Sequence, residues 1–252
     1  MSLRIGFDLD GVLADMEPEL VRQAEILFGE SMTRVLEKRA GSGPPTPDPA
    51  EAAQPAEPPL DSAPALERLN MTSRQQRRLW RHIESIENFW QTLQETEPGI
   101  VARLYKLASD RRWEIIFLTK RPTSAGFTSQ VQSQRWLESK GFSLPSVYVV
   151  QKSRGRIAEA LGLDIVIDDR PENCLDIVTD SKARSILIWR EPDKLPGAAR
   201  RLGIGVVDSV NKCLDVLIEI DSDNRAEPSV MDRVRKMLGL KAAVKQPSAL
   251  NS

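Results

Sequence analysis

The chain has 252 residues, which is near the upper end for one domain and enough for a sizeable core. Lys and Arg number 35 against 36 for Asp and Glu, so the net charge is −1 and a strongly basic protein that coats nucleic acid is excluded. The apolar fraction of 40% and the charged fraction of 28% are ordinary for a globular protein.

The 17 prolines are unevenly distributed along the chain. A segment of this composition cannot bury enough apolar surface to offset the entropy of ordering it. We therefore expect residues 41–64 to form a disordered insert beside a compact α/β body. The prolines within it are Pro44, Pro45, Pro47, Pro49, Pro55, Pro58, Pro59 and Pro64.

Cysteine and histidine usage excludes several kinds of site. Cys174 and Cys213 are far apart and lie in no CxxC pair, so neither a disulfide framework nor a zinc site is indicated. His82 lies among arginines with nothing nearby to orient it, which disfavours a histidine-based mechanism. Acidic residues interrupt the N-terminal apolar run, and no segment approaches the roughly 18 apolar residues of a membrane span. We expect a cytoplasmic protein without a signal peptide.

The first predicted elements are a strand and a helix. Residues 3–9 are typical of a short buried strand that ends at Asp10-Gly11. Pro18 suits the first turn of a helix, and apolar spacing extends that helix through Phe28 and toward Arg39. The proline-rich insert then ends the regular pattern.

A second helix is predicted from Thr72, because Thr72 and Gln75 have the spacing of a capping box. Its apolar stripe consists of Leu79, Ile83, Ile86, Trp90 and Leu93. Four arginines centre roughly opposite that stripe: Arg74, Arg77, Arg78 and Arg81. A solvated face and a phosphate or RNA patch are the two interpretations, and this geometry favours the solvated face.

From Pro98 onward, short apolar strands alternate with helices. Helices are expected at 99–109, 130–140, 154–161, 171–178 and 210–218, and strands at 113–119, 147–150, 165–168, 185–189 and 205–207. Continuous apolar strands that alternate with helices predict a parallel sheet covered on both faces. The predicted fold class is therefore an α/β, Rossmann-like core of three layers. A further helix is possible at 229–238 in the polar tail.

Polar side chains follow the predicted strands, at the edge where ligands bind on such sheets. Carboxylates collected there repel one another and need a cation, and hard oxygen ligands select Mg²⁺. A lysine beside them suits a phosphoryl group, and Asp is an established covalent phosphoryl acceptor. Each residue alone has an ordinary structural explanation, but their order and common edge indicate phosphoryl chemistry. They are Asp8, Asp10, Thr119, Lys152, Asp168 and Asp169.

Four segments together resemble the motifs of the haloacid dehalogenase (HAD) superfamily. Phe7–Asp15, FDLDGVLAD, resembles motif I, which is DxDx[TV] after an apolar strand. Ile115–Thr119 resembles motif II, Lys152 resembles motif III, and Ile165–Asp169 resembles motif IV. The resemblance implies a HAD-type core with a small inserted helical cap and a Mg²⁺-dependent phosphohydrolase mechanism.

The resemblance also implies a role for each residue. Asp8 would attack phosphorus and carry an aspartyl-phosphate, while Asp10 would act as general acid and base. Thr119 and Lys152 would hold phosphoryl oxygens, with Lys152 also steadying Asp8. The implied metal ligands are Asp8, Asp10 through its carbonyl, Asp168 and Asp169, and which of the last two binds directly is left open. A true dehalogenase does not need the second motif I aspartate, so Asp10 disfavours that branch.

Within the superfamily, three details resemble the 5′(3′)-deoxyribonucleotidase (type C 5′-nucleotidase) family. They are GVLAD followed by an acidic helical cap, Asn88-Phe89-Trp90 ahead of Glu97-Pro98-Gly99, and Gln134-Arg135-Trp136-Leu137 after motif II. In that family cap aromatics enclose the nucleobase, so Phe89 and Trp90 are the candidates here. Core packing is an equal alternative for Trp90, which lies on the apolar stripe.

Two features depart from that family. Motif II continues with Lys120 and Arg121, where family members carry a smaller residue directly after the threonine. These cations either bind a second anionic group of the substrate or reach solvent. The proline-rich insert also divides the cap, which the compact nucleotidases do not show.

The expected organisation is a catalytic core at 1–14 and 98–220, a cap at 15–97 that includes the insert, and a polar tail at 221–252. The expected partner is a small phosphorylated substrate, a nucleotide, with no membrane or stable nucleic-acid binding. A sugar phosphate or a phosphoprotein as substrate is an alternative. A non-catalytic phosphate-binding protein of the same fold is another, which the intact set of Asp8, Asp10, Thr119, Lys152 and Asp168 disfavours.

Overall fold

The computed structural model describes residues 2–29, 71–191 and 202–225. Its centre is a parallel sheet of six strands in the order β5-β4-β1-β6-β7-β8. The strands of this sheet are β1 (Arg4–Asp8), β4 (Glu114–Thr119), β5 (Ser146–Val149), β6 (Ile165–Asp168), β7 (Arg184–Ile188) and β8 (Gly205–Val207). Their burial is nearly continuous in β1, β4 and β6, as expected for strands covered on both faces.

Helices alternate with the strands in the described residues, as the pattern predicts. They are α1 (Glu17–Phe28), α2 (Ser73–Ser85), α3 (Ile100–Arg111), α4 (Ser129–Ser139), α5 (Arg154–Leu161), α6 (Pro171–Asp180) and α7 (Val210–Arg225). Each predicted helix and strand between 98 and 220 is present within one or two residues of its expected bounds, except that α7 runs longer. The α/β, Rossmann-like prediction is therefore confirmed.

The order of the strands creates a switch point beside β1. The chain passes from β1 to β4 and β5 on one side, then crosses back to β6, β7 and β8 on the other. Loops at the carboxyl ends of β1 and β6 therefore lead away in opposite directions and leave a crevice between them. Motif I and motif IV end at this crevice.

The segment between motif I and α3 contains two helices where it is described, α1 and α2. Thr72 and Gln75 form the predicted capping box, with Thr72 Oγ1 accepting from the Gln75 backbone N–H at 3.3 Å. His82 Nε2 lies 3.0 Å from Gln23 Oε1, which links α2 to α1. The four arginines predicted to form a solvated face of α2 are all exposed: Arg74, Arg77, Arg78 and Arg81.

One predicted boundary is wrong in this segment. The apolar stripe was expected to continue the helix to Leu93, but α2 ends at Ser85. Ile86 adopts an extended conformation at φ −81° and ψ 124°, which ends the helical path. Asn88 follows in a left-handed conformation at φ 54° and precedes a short 3₁₀ turn at Phe89–Gln91. A two-stranded antiparallel ribbon of β2 (Ala14–Asp15) and β3 (Gln94–Glu95) then returns the chain to motif I.

Residues 2–214 form one compact unit, and the second unit is described only for the end of α7, residues 215–225. The insert at 41–64, the extension toward Arg39 and the helix at 229–238 lie outside the described residues, so those predictions stand as predictions. Both cysteines are buried and free, as expected. Within the described segments, no helix combines the length and apolar character that a bilayer crossing requires.

Candidate active site

The strand register brings two of the predicted aspartates to one level of the sheet. Phe7 of β1 pairs with Phe117 of β4 on one side and with Ile167 of β6 on the other. Asp8 follows Phe7 and Asp168 follows Ile167, so the two aspartates lie side by side at the carboxyl ends of adjacent strands. Asp8 is only 4% exposed and Asp168 is fully buried. Two buried carboxylates at this spacing need positive charge between or beside them.

The first positive charge comes from Arg154 in the opening turn of α5. Its Nη2 donates to Asp8 Oδ1 at 2.5 Å, and its Nε lies 3.2 Å from Asp168 Oδ2. A third donor, Nη1, is bonded to the Leu118 carbonyl at 2.9 Å. Burial lowers the pKa of Arg154, but the charges of Asp8 and Asp168 outweigh it and raise the pKa overall. The guanidinium therefore remains charged and bridges the two carboxylates.

This geometry corrects the sequence-based placement of the motif III cation. Lys152 was expected to steady Asp8, but its side chain is exposed, and the contact to Asp8 belongs to Arg154 two residues later. Ser153 is the N-cap of α5 and accepts from the Arg156 backbone N–H. Lys152 thus lies outside the helix, whereas Arg154 begins it and is 7% exposed.

Three carboxylates are grouped closely enough to share one cation. One oxygen each from Asp8, Asp168 and Asp169 lies within 4.8 Å of the others. Burial and then the charge of Asp168 raise the pKa of Asp169 to about 7. Burial also raises the pKa of Asp8, against the lowering effect of Arg154, and the other two carboxylates raise it further. Three carboxylates gathered around one guanidinium offer an all-oxygen donor set, which fits a hard divalent cation.

Neighbouring groups hold two of these carboxylates in place. Asn173 of α6 donates its side-chain N–H to Asp168 at 2.9 and 3.1 Å, and the Arg170 backbone N–H donates to Asp168 Oδ1 at 2.9 Å. Gly11 has φ +82°, and a Cβ added there would lie 2.0 Å from Asp169 Oδ2. Glycine at this position is therefore required both by the turn and by the close approach of the carboxylate.

The second motif I aspartate has a separate set of partners. Arg121 Nε and Nη2 donate to the two oxygens of Asp10 at 2.7–3.1 Å, and Thr119 Oγ1 donates to Asp10 Oδ2 at 3.3 Å. The Asp10 carboxylate therefore accepts its hydrogen bonds from Arg121 and Thr119 and does not belong to the group formed by Asp8, Asp168 and Asp169. Its implied metal contact through the backbone carbonyl is compatible with this arrangement.

The two cations of motif II have different positions. Lys120 is exposed, as a substrate contact requires. The Arg121 side chain is 0% exposed and its donors are directed to Asp10 and Ser133, so the alternative that it reaches solvent is wrong. Its contact with substrate stays a prediction. Buried guanidinium groups persist where their N–H donors are paired, which is the case here.

The predicted base-enclosing aromatics belong to the interior of the protein. Phe89 is fully buried, Trp90 is 1% exposed, and their rings meet edge to face at 4.9 Å. Trp90 donates from Nε1 to the Pro122 carbonyl at 3.0 Å. Neither ring has an exposed face that could stack on a nucleobase, so core packing, the alternative for Trp90, applies to both in this structure.

Sequence reasoning missed Arg154 and Asn173 as site residues. The available signal for Arg154 was its place directly after Ser153, a good N-cap residue, but Lys152 on the other side of the cap carries the same charge. Asn173 had a weaker signal, its position three residues into α6 after the Asp168-Asp169 pair. In both cases the deciding quantity is the direction of a side chain, which is set by helix geometry.

Comparisons with known proteins support the fold. No family model matches the sequence, and no curated protein matches it either. A Thermotoga maritima protein provisionally assigned as a β-phosphoglucomutase has a TM-score of 0.50 and 18% identity, over 86% of this chain and 99% of that chain. A haloacid dehalogenase-like family hydrolase from Streptococcus pneumoniae has a TM-score of 0.47 and 16% identity, over 86% and 98%. A HAD family hydrolase from Deinococcus radiodurans, with bound phosphate and sodium, has a TM-score of 0.47 and 15% identity. That match covers 88% of this chain and 96% of that chain.

At these identities the likeness is one of fold alone. The six-stranded parallel sheet and its helices are an α/β, Rossmann-like HAD fold. The resemblance to the deoxyribonucleotidase family rests on the sequence motifs alone.

Proposed function

We propose that this protein is a Mg²⁺-dependent phosphomonoester hydrolase in which Asp8 is the nucleophile and Asp10 the general acid and base. One observation carries the proposal. Asp8 and Asp10 are two residues apart, yet Asp8 faces Arg154 and Asp168 while Asp10 faces Arg121 and Thr119. Two carboxylates with such different surroundings suit two different roles.

Asp8 has the position and neighbours of a covalent acceptor. In the first step an Asp8 oxygen bonds to phosphorus, the bond from phosphorus to the ester oxygen breaks, and the leaving oxygen takes a proton from Asp10. Arg154 stabilises Asp8 as a carboxylate before attack, because its guanidinium opposes the effect of burial on the pKa of Asp8. Burial still raises the pKa of Asp8 overall, so a cation bound at the three carboxylates would add to the stabilisation that an ionised nucleophile needs.

Asp10 completes the cycle in the second step. It takes a proton from water as the water oxygen attacks phosphorus, and the bond to Asp8 breaks. Phosphate leaves, Asp8 returns as a carboxylate and Asp10 holds the proton that it lost in the first step. The Asp10 side chain is 17% exposed against 5% for Asp8, so Asp10 is the more accessible of the two to water.

The residues that would hold Mg²⁺ are Asp8, Asp168 and Asp169, with the Asp10 carbonyl as the further ligand that the sequence resemblance implies. When bound, the ion would neutralise phosphoryl oxygens and the excess charge of the carboxylates. Asn173 would keep Asp168 oriented toward it, because a hydrogen-bonded carboxylate loses little further freedom on binding.

The surroundings of the crevice support an anionic substrate. A cation follows each of the two strands on either side of β1: Lys152 after β5, Lys120 after β4, Arg170 after β6 and Arg190 after β7. Lys120, Lys152 and Arg190 are exposed and Arg170 is half-buried. A small phosphate ester is attracted to such an edge. The motif resemblance points to a (deoxy)nucleoside monophosphate, and a sugar phosphate is the alternative in the same site.

The test is phosphate release from p-nitrophenyl phosphate with Mg²⁺. We expect Asp8→Asn to lose at least about 10³-fold in kcat, because it removes the nucleophile. Asp110→Asn, which changes an exposed aspartate of α3, is the matched control and should retain wild-type activity. Equal rates for wild type and Asp8→Asn would refute the proposal. A screen of nucleoside monophosphates against sugar phosphates then decides between the substrate classes.

A further inference from the structure

Arg121 is a buried cation outside the motif residues that the proposed reaction uses. Its guanidinium donates to the Asp10 carboxylate from two nitrogens. Nε lies 3.1 Å from Oδ1 and 2.9 Å from Oδ2, and Nη2 lies 2.7 Å from Oδ1. The contact engages both carboxylate oxygens, so it restricts rotation of the carboxylate as well as its distance. The Thr119 hydroxyl donates to one of the same oxygens at 3.3 Å.

The position of Arg121 is itself determined by residues far along the chain. Its remaining terminal nitrogen, Nη1, donates to Ser133 Oγ of α4 at 3.0 Å, and that hydroxyl donates to the Ser129 carbonyl. The guanidinium carbon lies 5.1 Å from the Trp90 ring centroid and 5.9 Å from that of Trp136. A planar, charged group held by hydrogen bonds and by aromatic faces has little freedom to move.

We propose that Arg121 is a positioning residue, which fixes the Asp10 carboxylate in the orientation needed to give and take the proton. The inference rests on the proposed function of Asp10. Because Arg121 is fully enclosed and all three donating nitrogens are occupied by Asp10 and Ser133, it acts through Asp10 and not on the substrate. Proton transfer depends on the direction of the carboxylate oxygens as well as on their distance from the leaving group.

An arginine suits this position in a way that a lysine does not. A single ammonium group cannot bond both Asp10 oxygens in the plane of the carboxylate and also reach Ser133. Arg121→Lys keeps the buried positive charge and removes the paired N–H donors that bond both Asp10 oxygens. It therefore distinguishes the effect of Asp10 orientation from the effect of charge balance. Arg121→Met removes both.

The experiment is a double-variant cycle on kcat. We expect Arg121→Met to lower kcat for p-nitrophenyl phosphate by about 10²-fold with KM changed less than threefold, because general acid–base catalysis contributes about 10²–10⁴-fold. Arg121→Lys should fall between Arg121→Met and wild type. In an Asp10→Asn background, Arg121→Met should change kcat less than twofold, because the group through which it acts is already removed.

Several outcomes separate the possibilities. An equal loss of kcat in both backgrounds, or no loss in either, would overturn the inference. Arg156→Met, an exposed arginine of α5, controls for the loss of an arginine as such. Where Arg121→Met fails to fold, Arg121→Lys in the wild-type and Asp10→Asn backgrounds gives the same comparison. If Asp8→Asn abolishes activity but Arg121→Lys has the kcat of wild type, the inference about Arg121 is refuted and the proposed function stands. If Asp8→Asn is as active as wild type, the proposed function is refuted as well.

Discussion

Arg154 Nη2 donates to Asp8 Oδ1 at 2.5 Å, and the two side chains are only 8% and 5% exposed. The same guanidinium lies 3.2 Å from Asp168 Oδ2. One cation thus separates two buried carboxylates on adjacent strands. Arg154, at the beginning of α5, therefore offsets part of the free-energy cost of burying Asp8 and Asp168 side by side.

Removing this cation should destabilise the protein. We expect Arg154→Met to lower the free energy of unfolding by about 3–5 kcal/mol, because it leaves two buried carboxylates without their partner. The measurement is urea denaturation with EDTA present, so that no divalent cation substitutes for the guanidinium. Arg156→Met, which removes an exposed arginine of the same helix, should stay within about 0.5 kcal/mol of wild type.

Lys152 and Arg154 should differ in their effect on the reaction. Because Arg154 contacts Asp8 and Lys152 is exposed, Arg154→Lys should lower kcat/KM by more than tenfold and Lys152→Ala by less. Steady-state kinetics with p-nitrophenyl phosphate measures both. A larger loss for Lys152→Ala would restore the sequence-based assignment of Lys152 to the phosphoryl group.

Gly11→Ala should impair the cation site. Its Cβ would meet Asp169 Oδ2 at 2.0 Å, so the carboxylate or the motif I loop must move. We expect the Mg²⁺ concentration for half-maximal activity to rise at least tenfold, about 1.4 kcal/mol of lost binding free energy. Gly99→Ala is the matched control, because Gly99 has a similar φ of +78° with no atom within 4 Å of the added Cβ. An equal effect of both substitutions would assign the loss to backbone strain instead.

Cation binding should strengthen as pH rises toward neutrality. Burial and Asp168 raise the pKa of Asp169 to about 7, so below that pH the folded protein holds a proton that a metal ion must displace. Without metal, this raised pKa makes the contribution of Asp169 to stability fall as pH rises from about 4 to 7, because the unfolded chain has already lost the proton.

The measurement is the increase in melting temperature on addition of Mg²⁺ at pH 5.5 and at pH 8. We expect a larger increase at pH 8, with the apparent affinity rising by about tenfold per pH unit below pH 7 for the one proton released. Asp169→Asn should remove this part of the pH dependence. An increase that is the same at both pH values in wild type would contradict a protonated Asp169 in the metal-free protein.

Phe89→Leu should affect stability without affecting substrate choice. The fully buried ring has no face toward a ligand, so a residue of similar volume should cost about 1.5 kcal/mol or less. KM for a nucleoside monophosphate and for p-nitrophenyl phosphate should change by the same factor. A selective rise in KM for the nucleotide would return Phe89 to the base pocket that the family resemblance suggested.

The boundaries of the elements were predictable where one local signal dominated. The Thr72–Gln75 capping box and the glycine after Leu161 each act within a single turn of helix, and both helix ends are where the sequence places them. The helix predicted through Leu93 was wrong because the backbone leaves the helical conformation at Ile86, with φ −81° and ψ 124°, while the apolar spacing continues past it. Apolar spacing indicates which residues are buried, but it does not show whether they belong to one helix or to two successive elements.

The apolar runs were enough to predict the parallel α/β core, because each run marks a buried strand and its end. They also predicted that one edge of the sheet gathers Asp8, Asp10, Thr119, Asp168 and Asp169. The contact of Arg154 rather than Lys152 with Asp8, and the enclosure of Arg121 against Asp10, became known from the folded structure. Those outcomes depend on where long side chains point and on what packs around them. Contacts between residues 111 or 146 positions apart supply that information, and no local pattern contains it.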